Sequence, residues 1–478
     1  MHTEIMIQPG MHLVFGILKL NFTNIIKLMK INKHNLTEGS ITKNILRLAL
    51  PMMTSIVFHD LFNIVDMFFV GKLGPEAVAA VSMCGLLIHM IIIAAVGIAT
   101  GTVAMVAVYM GAKEQNKAEN VVVQAIFMGI FISIIITILG YLFAEPILKL
   151  LGAGRDVLPM GIKYIRISSV GAIFILLTII LSAALRGAGD AITPMRILIF
   201  STIINIVLDP LLIFGVWKFP RLEVAGSALA TVIARAISVL LLLKVFFGGH
   251  SYFHIKLDRF IIDINIIWKM FKIGIFGSLQ MLIRNISNLV IMKIVSLYGT
   301  FAVAAFGINI RLIMLIQMFG VGIGNASATL VGQNLGAGKP DRAEKSALMA
   351  AGFYELIIIF VSSIFFIFPK EIIGVFNNHP QVIQIGSICL RILLSSFVFV
   401  ALSIVLGKSM SGAGYTMIPM IVTAIALIGL RIPLSFTLSQ YTDLEVTGIW
   451  IAIAVSNVIL GILMTITLKK GKWKAVKY

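Results

Sequence analysis

Four acidic side chains of this sequence stand inside long apolar stretches, where a charge is costly. They are Asp60, Asp66, Asp209 and Glu355, out of 20 acidic residues in the chain. A carboxylate near the middle of a membrane-spanning helix costs about 2.5 to 3.5 kcal/mol, so such a residue is a candidate for function by default. A pair of buried carboxylates can hold a metal cation or share a proton.

Asp66 and Asp209 lie at the same predicted depth. Asp66 follows Pro51 by 15 residues. Asp209 follows Pro194 by the same 15 residues, and at about 1.5 Å per residue each acid lies roughly 22 Å along its helix. Asn205 precedes Asp209 by one helical turn and shares its face. The two carboxylates and the amide predict a site for Na+ or a proton.

Further oxygen atoms are predicted close to this site. Pro210 removes a backbone N–H and frees the carbonyl group of Ile206. Asn63 shares a helix face with Asp66. Three weaker candidates complete the predicted cation site: Asp60, Ser227 and Thr231.

Structural interpretations of these residues remain open. Asp66 and Asp209 would also serve as a hydrogen-bonded pair that fixes helix packing, and Asp60 suits a structural role as well as a functional one. His59 is more typical of helix packing than of proton transfer. Glu355 has no partner at an obvious spacing, so its role stays open.

The elements that position these side chains are predicted to be membrane-spanning helices. The chain is 59% hydrophobic and 12% charged, a composition that a soluble globule of this length cannot bury. Since a spanning helix needs about 20 apolar residues, the sequence predicts twelve spans, at 45–71, 77–110, 120–143, 157–185, 192–216, 224–247, 267–297, 301–335, 345–368, 380–408, 417–439 and 446–468.

The basic residues predict the orientation of the chain. The formal charge is +18, but Lys and Arg occupy short segments between apolar runs, so no nucleic-acid partner is expected. They concentrate on the side of the two termini, which the positive-inside rule places in the cytoplasm. We therefore expect a multi-pass protein of the inner or plasma membrane, in contact with lipid and monomeric. Cys84 and Cys389 lie in apolar runs and suit neither a disulfide framework nor a metal site.

An internal repeat divides the chain into two halves. A shift of 225 positions places Gly74 on Gly299 and Pro194 on Pro419, and it carries the segment 77–80 onto 302–305. Each copy holds six spans, so both enter the membrane from the same face and form two pseudo-symmetric lobes around a central cleft. The predicted parts are a cytoplasmic extension, an N-lobe, a cytoplasmic linker, a C-lobe and a basic cytoplasmic tail, at residues 1–44, 45–247, 248–266, 267–468 and 469–478.

Several sequence segments together resemble the multidrug and toxic compound extrusion (MATE) family, and the resemblance covers nearly the whole chain. They are residues 35–41, 63–74, 185–190 with Pro194-Met195, and 332–338. The resemblance implies an antiporter that exports cationic or amphipathic organic compounds by alternating access, driven by inward Na+ or H+, with no other cofactor. The chain departs from the family in about 30 additional residues before Asn35.

The resemblance is greatest to the DinF-like branch, in which Asp66, Asn205 and Asp209 match the first-lobe cation site. The second lobe has no matching acids, since Asp66 maps to Ile291 and Asp60 to Asn285. The paired second-lobe acids of the NorM-like branch are therefore missing. This asymmetry implies that the coupling ion binds in the N-lobe.

Other functions agree less well with the sequence. A flippase for lipid or lipid-linked saccharide on a related fold is the main alternative, and it predicts a more charged central cleft. An enzyme is not expected, because no catalytic motif is found. The segment 332–339 has Gln333 where a phosphate-binding loop has its first glycine, and Pro340 follows it where that loop has Ser or Thr. A passive channel would need a filter-like loop, which the sequence does not offer.

Overall fold

The computed structural model describes residues 35–216, 219–248, 252, 253, 255 and 261–475. Most of the predicted N-terminal extension, much of the predicted linker and the last three residues of the tail lie outside these ranges. The twelve predicted spans all lie within them.

Helices build both halves of the described chain. The N-lobe contains α1 Ile41–Gly71, α2 Pro75–Gly111, α3 Gln115–Leu150, α4 Val157–Val170, α5 Ala172–Gly187, α6 Ile192–Phe214 and α7 Val224–Phe247. The C-lobe contains α8 Ile264–Val295, α9 Thr300–Gly336, α10 Pro340–Ile367, α11 Pro369–Gly374, α12 Pro380–Leu394, α13 Phe397–Gly412, α14 Met417–Ala424, α15 Ile432–Gln440 and α16 Glu445–Lys469. A π-helical segment, Ile425–Arg431, joins α14 to α15.

These helices form the predicted twelve spans. Within the described ranges, ten spans are long and apolar enough to cross a bilayer, and two more are the bent pairs α4–α5 and α12–α13. The bends measure 46° and 54°. They fall at Gly171 and Ser396, which the repeat places on each other. The all-α fold of twelve helices in two repeated lobes is confirmed.

The two lobes approach each other most closely through small residues of α2 and α9. A Cβ added to Gly111 would collide with the carbonyl oxygen of Gln333, and one added to Gly336 would collide with that of Val108. Each of these contacts is the image of the other under the repeat. Glycine is thus required at both positions for the helices to pack this tightly.

The first halves of α1 and α8 cross over into the opposite lobe. Ile45 and Leu48 of α1 belong to the buried cluster of the C-lobe, whereas Met270 and Ile273 of α8 belong to a buried cluster of the N-lobe. The lobes are therefore interlocked over this half of the membrane. The exchange again follows the pseudo-symmetry of the repeat.

Both described ends of the chain lie on one face of the bundle, which we call the terminal face. Lys339 Nζ donates a hydrogen bond to the carbonyl oxygen of Thr37 at 3.1 Å. Near the other end, Lys474 Nζ pairs with a carboxylate oxygen of Glu344 at 2.5 Å. An even number of spans requires this arrangement. The opposite face is the distal face.

Candidate functional site

Asp66 points from α1 into the interior of the N-lobe, where α7 holds it. Ser227 Oγ donates a hydrogen bond to Asp66 Oδ1 at 2.5 Å, and both side chains are buried. Ser227 lies in the first turn of α7. Just before it, Gly226 packs so closely on the backbone of Leu212 that a Cβ would not fit, and this close approach brings α7 beside α6.

Asp209 lies on α6 and is fully buried, as is Asn205 one turn earlier. Asn205 Nδ2 donates a hydrogen bond to Asp209 Oδ1 at 3.1 Å. The remaining oxygens, Asn205 Oδ1 and Asp209 Oδ2, are buried without a hydrogen-bond donor from the described residues. Two orphaned acceptors at one place are unfavourable unless a proton or cation satisfies them.

The two halves of the site lie close together. The carboxylates of Asp66 and Asp209 interact electrostatically, and the hydroxyl of Tyr164, from α4, lies near Ser227 and interacts electrostatically with both carboxylates. Tyr164 was not among the sequence candidates. An aromatic residue within an apolar span is indistinguishable from a packing residue, and its repeat counterpart, Cys389, gives no hint of a ligand site.

This arrangement suits a small hard cation or a proton. Carboxylate, amide and hydroxyl oxygens converge from α1, α6 and α7, and like-charged carboxylates in a buried position resist being ionised together. Binding one positive charge would relieve their repulsion. The described residues hold no cluster of three or more His, Cys, Asp and Glu side chains, the pattern that transition metals favour.

The structure does not place every sequence candidate within these contacts. Asp60 and Asn63 are exposed, and Thr231 is half-buried. His59 turns toward α7, where its Nδ1 lies 3.3 Å from Arg235 Nη2. The core of the candidate site is therefore the group of Asp66, Asn205, Asp209 and Ser227, with Tyr164 beside it.

The corresponding part of the C-lobe has the opposite polarity. Ile291 occupies the place of Asp66 and is buried. Arg431, at the end of the π-helical segment, is also buried and donates hydrogen bonds to Ser456 Oγ at 2.8 Å and Asn457 Oδ1 at 2.7 Å. A cavity of about 120 Å³ beside it is lined by Ile291, Arg431 and Asn288, among others. Because a guanidinium remains charged in proteins, Arg431 would repel a cation from this part of the C-lobe.

Curated relatives cover nearly the full length of the chain. A probable multidrug resistance protein of Bacillus subtilis, YoeA, is 29% identical over 87% of this chain and 90% of its own. An FAD transporter of Shewanella oneidensis is 29% identical over 90% of this chain and 95% of its own. A probable multidrug resistance protein of Thermotoga maritima, NorM, is 26% identical over 91% and 93%, respectively.

Solved structures have the same fold. The outward-facing conformation of a multidrug resistance MATE family transporter of the MOP superfamily superposes with a TM-score of 0.85 at 25% identity, covering 93% of this chain and 99% of the other. A MOP superfamily transporter from Pyrococcus furiosus, described as having reverse polarity of its binding pocket, gives a TM-score of 0.85 at 25% identity, with coverage of 94% and 100%.

The family match follows the internal repeat. The MatE family pattern matches residues 51–211 and again 278–437, which are corresponding parts of the two lobes. Together these segments span most of the membrane domain, including the helices that carry Asp66 and Asp209. With the twelve-helix, two-lobe fold, they show that the chain belongs to the MatE family of membrane transporters.

Proposed function

We propose that this MatE transporter exports small organic compounds by alternating access, in exchange for Na+ or H+ bound at Asp66, Asn205, Asp209 and Ser227. The observation that carries this proposal is a pair of buried oxygens, on Asn205 and Asp209, that accept no hydrogen bond from the described part of the chain and lie near a second carboxylate. Since the C-lobe carries Arg431 in the corresponding region, we place the coupling ion in the N-lobe alone. This placement agrees with the predicted DinF-like branch.

The relatives support export rather than lipid flipping. Their names include probable multidrug resistance proteins from Bacillus subtilis and Thermotoga maritima and an FAD transporter from Shewanella oneidensis. None of these names refers to a lipid, so the flippase alternative is not favoured. We take the substrate to be a small organic molecule and the protein to be a monomer in the cell membrane, without an enzymatic activity.

The conformation bears on the direction of transport. The close contacts of Gly97, Gly101 and Gly111 of α2 with the C-lobe helices all lie in the half of α2 nearer the terminal face. The positive-inside rule assigns that face to the cytoplasm. In this orientation the lobes are clasped on the cytoplasmic side, which is the outward-facing state of an alternating-access cycle.

Coupling requires that the ion favour one state over the other. A ligand shifts a conformational equilibrium only by its differential affinity for the two states. Here the ion would neutralise two interacting carboxylates and fill unsatisfied oxygens at the junction of α1, α6 and α7. Because α1 also packs in the C-lobe core, a shift of α1 on binding would reach the contact between the lobes.

The test measures the movement of a substrate across the membrane of proteoliposomes while a single gradient, of Na+ or of H+, is imposed. Purified protein is reconstituted with a fluorescent substrate, and an inward Na+ gradient, an inward H+ gradient or no gradient is applied. We expect one of the two gradients to accelerate export at least several-fold over the equilibrated vesicles. Equal rates under all three conditions would reject an ion-coupled antiporter and favour a passive route.

A further inference from the structure

A second polar feature lies between the lobes and takes no part in the cation site. It is a cavity of about 190 Å³. Both lobes line it, with side chains from α2 and α5 on one side and from α9 and α13 on the other. Its polar lining consists of Thr100, Arg186, Asn325, Thr329, Lys408 and Ser411.

Two cations of this cavity have no acidic partner among the residues that the structure describes. Arg186 lies near the end of α5 and Lys408 near the end of α13, the corresponding spans of the two lobes. Lys408 interacts electrostatically with Arg186 and with Arg284 of α8. The ion pairs found within the described ranges lie in loops and at helix ends and include none of these three residues.

The buried cations of the spans, in contrast to the half-buried Arg186 and Lys408, have partners. Arg235 Nη2 lies 3.3 Å from His59 Nδ1, and the Arg235 guanidinium lies over the ring of Phe62. Arg431 donates hydrogen bonds to two side chains. By contrast, the side chains of Arg186 and Lys408 make no hydrogen bond to another residue of the described chain. Like charges held together at half-buried positions attract counter-ions, so this cluster favours a negatively charged occupant.

The walls of the cavity set a second requirement. The apolar side chains of Val96, Val103, Ile179 and Val321 also line the cavity. A volume of about 190 Å³ is below that of a pocket enclosing a whole drug-sized molecule, which is about 300 Å³ or more. The cavity therefore fits the charged end of a longer molecule, whose remaining part would extend along the cleft.

We propose that Arg186 and Lys408 bind the phosphate or carboxylate group of an amphipathic organic anion, which is the transported substrate. Guanidinium and ammonium groups donate charge-assisted hydrogen bonds to such oxyanions. The amide of Asn325 lines the same cavity and can donate a further hydrogen bond to the oxyanion, whereas the hydroxyls of Thr100 and Thr329 already donate to the carbonyl oxygens of Val96 and Arg186. This inference rests on the proposed function, because the cavity lies in the cleft through which a substrate would pass.

Riboflavin, FMN and FAD are suitable probes, since they share one fluorescent ring system and differ in their phosphate groups. Binding to the purified full-length chain in nanodiscs of zwitterionic lipid is measured by fluorescence, with ethidium as a cationic comparison. We expect FMN and FAD to bind at least tenfold more tightly than riboflavin. Equal affinities for riboflavin and FMN, or tighter binding of ethidium than of FMN, would overturn the proposal.

Substitutions of the two cations test the site itself. Arg186→Gln and Lys408→Gln should each weaken FMN binding about tenfold or more and leave riboflavin affinity unchanged, whereas Arg186→Lys should retain most of the affinity. Lys293→Gln, which removes an exposed cation at the end of α8, is the matched control and should have no effect. Unchanged FMN binding in both glutamine variants would refute the assignment.

A lipid phosphate has the same chemistry as a phosphorylated substrate, so lipid composition forms a separate arm. Displacement of FMN by phosphatidylglycerol, lost in Arg186→Gln, would assign the site to lipid and overturn its role in substrate binding. Because binding is measured without an ion gradient, the preference for FMN over riboflavin should hold whether or not Na+ or H+ gradients drive transport. A failure of the coupling proposal would thus leave this result intact, and the reverse also holds.

Discussion

Gly332 of α9 lies against Ala107 of α2, its own counterpart in the other lobe. A Cβ built on Gly332 would stand 2.7 Å from the Cβ of Ala107. Two corresponding residues can touch only where the axis relating the lobes passes between them, so α2 and α9 cross at the pseudo-two-fold axis. Lobe motion in an alternating-access cycle must loosen this crossing.

Enlarging a glycine at the crossing should therefore shift the balance of states. Gly336→Ala places a methyl group against the carbonyl oxygen of Val108, which should spread the lobes at the terminal face and bring them together at the distal face. Spin labels on Lys72→Cys and Leu297→Cys, exposed distal positions that correspond under the repeat, should report a shorter distance by pulsed electron resonance.

The control for this experiment is Gly352→Ala, in α10, where an added Cβ meets nothing within 4 Å. Its distance distribution should match that of the labelled parent. An unchanged distribution in Gly336→Ala as well would mean that the terminal face tolerates the methyl group and does not control the state.

Membrane topology can be tested at two exposed lysines. Lys72 lies on the distal face and Lys345 near the terminal face. We expect Lys72→Cys to react with a membrane-impermeant maleimide in intact cells, and Lys345→Cys to react only after permeabilisation. A fluorescent protein fused after Tyr478 should be bright in the cytoplasm. The opposite labelling pattern would show that the chain has the reverse orientation, and the inferred direction of transport would then be wrong. Lys218, another loop position for such a label, lies outside the described residues.

Removing one carboxylate should uncouple transport. Asp66→Asn and Asp209→Asn retain side-chain size but remove the charge, so we expect each to lose most gradient-driven export, at least tenfold, while inserting normally. The control is Glu355→Gln, which removes the one acidic candidate that lies in a C-lobe span. It should retain transport activity, normalised to the amount of protein in the membrane. Full activity in both Asp variants would reject the N-lobe site, and loss in Glu355→Gln alone would move coupling to the C-lobe.

The two hydroxyl candidates of α7 should behave differently. Ser227→Ala removes the hydrogen bond to Asp66, and because hydrogen bonds to charged groups contribute about 1.5 to 3 kcal/mol, we expect the affinity of the site for its cation to change at least tenfold. Na+ should bind more weakly because the site loses an oxygen, whereas a proton should bind more tightly because the ionised carboxylate loses a stabilising donor. Thr231→Val should have a small effect. The measurement is the Na+ concentration for half-maximal transport or, for proton coupling, the displacement of the pH profile. Equal effects in both variants would exclude a specific role for Ser227.

Asp190, in the loop before α6, should contribute to stability through its carboxyl group. Its Oδ1 accepts hydrogen bonds from the N–H groups of Ile192 at 3.1 Å and Thr193 at 3.0 Å. Losing such a cap in Asp190→Ala should cost about 1 kcal/mol, seen as a lower midpoint of thermal unfolding in detergent.

Asp190→Asn is the matched variant, because asparagine caps equally well. Burial raises the pKa of Asp190, so the folded state favours the neutral carboxyl, and the stability this provides at acid pH is lost as the pH rises through the raised pKa. Near neutral pH, Asp190→Asn should thus be at least as stable as the parent. A loss equal to that of Asp190→Ala would show that the charge itself is needed.

The fold could be predicted from the sequence because its two signals are strong and local. Apolar runs of about 20 residues define spans, and the offset of 225 residues defines the lobes. The exchange of the first halves of α1 and α8 was not predictable in this way. A hydrophobic run shows that a helix is buried, but it does not specify which lobe buries it.

The candidate site was predicted in part for similar reasons. Asp66, Asn205 and Asp209 stand out because polar groups are rare and costly within spans, and their matched depth indicated a shared site. Asn63 and Asp60 shared spacing or charge with them but not their burial. The position of Arg431 depends on a π-helical segment, and one additional residue in a turn changes the face on which every later side chain lies.

The unpaired charges of Arg186 and Lys408 also bear on the membrane potential. Moving one elementary charge across a membrane is worth about 2.3 kcal/mol per 100 mV. In a cell with a negative interior, the voltage favours the exit of an anion and the entry of Na+ or H+ alike. One monovalent anion exchanged for one cation would gain about 4.6 kcal/mol per 100 mV, so the voltage alone could drive this exchange even where the ion concentrations are equal on both sides.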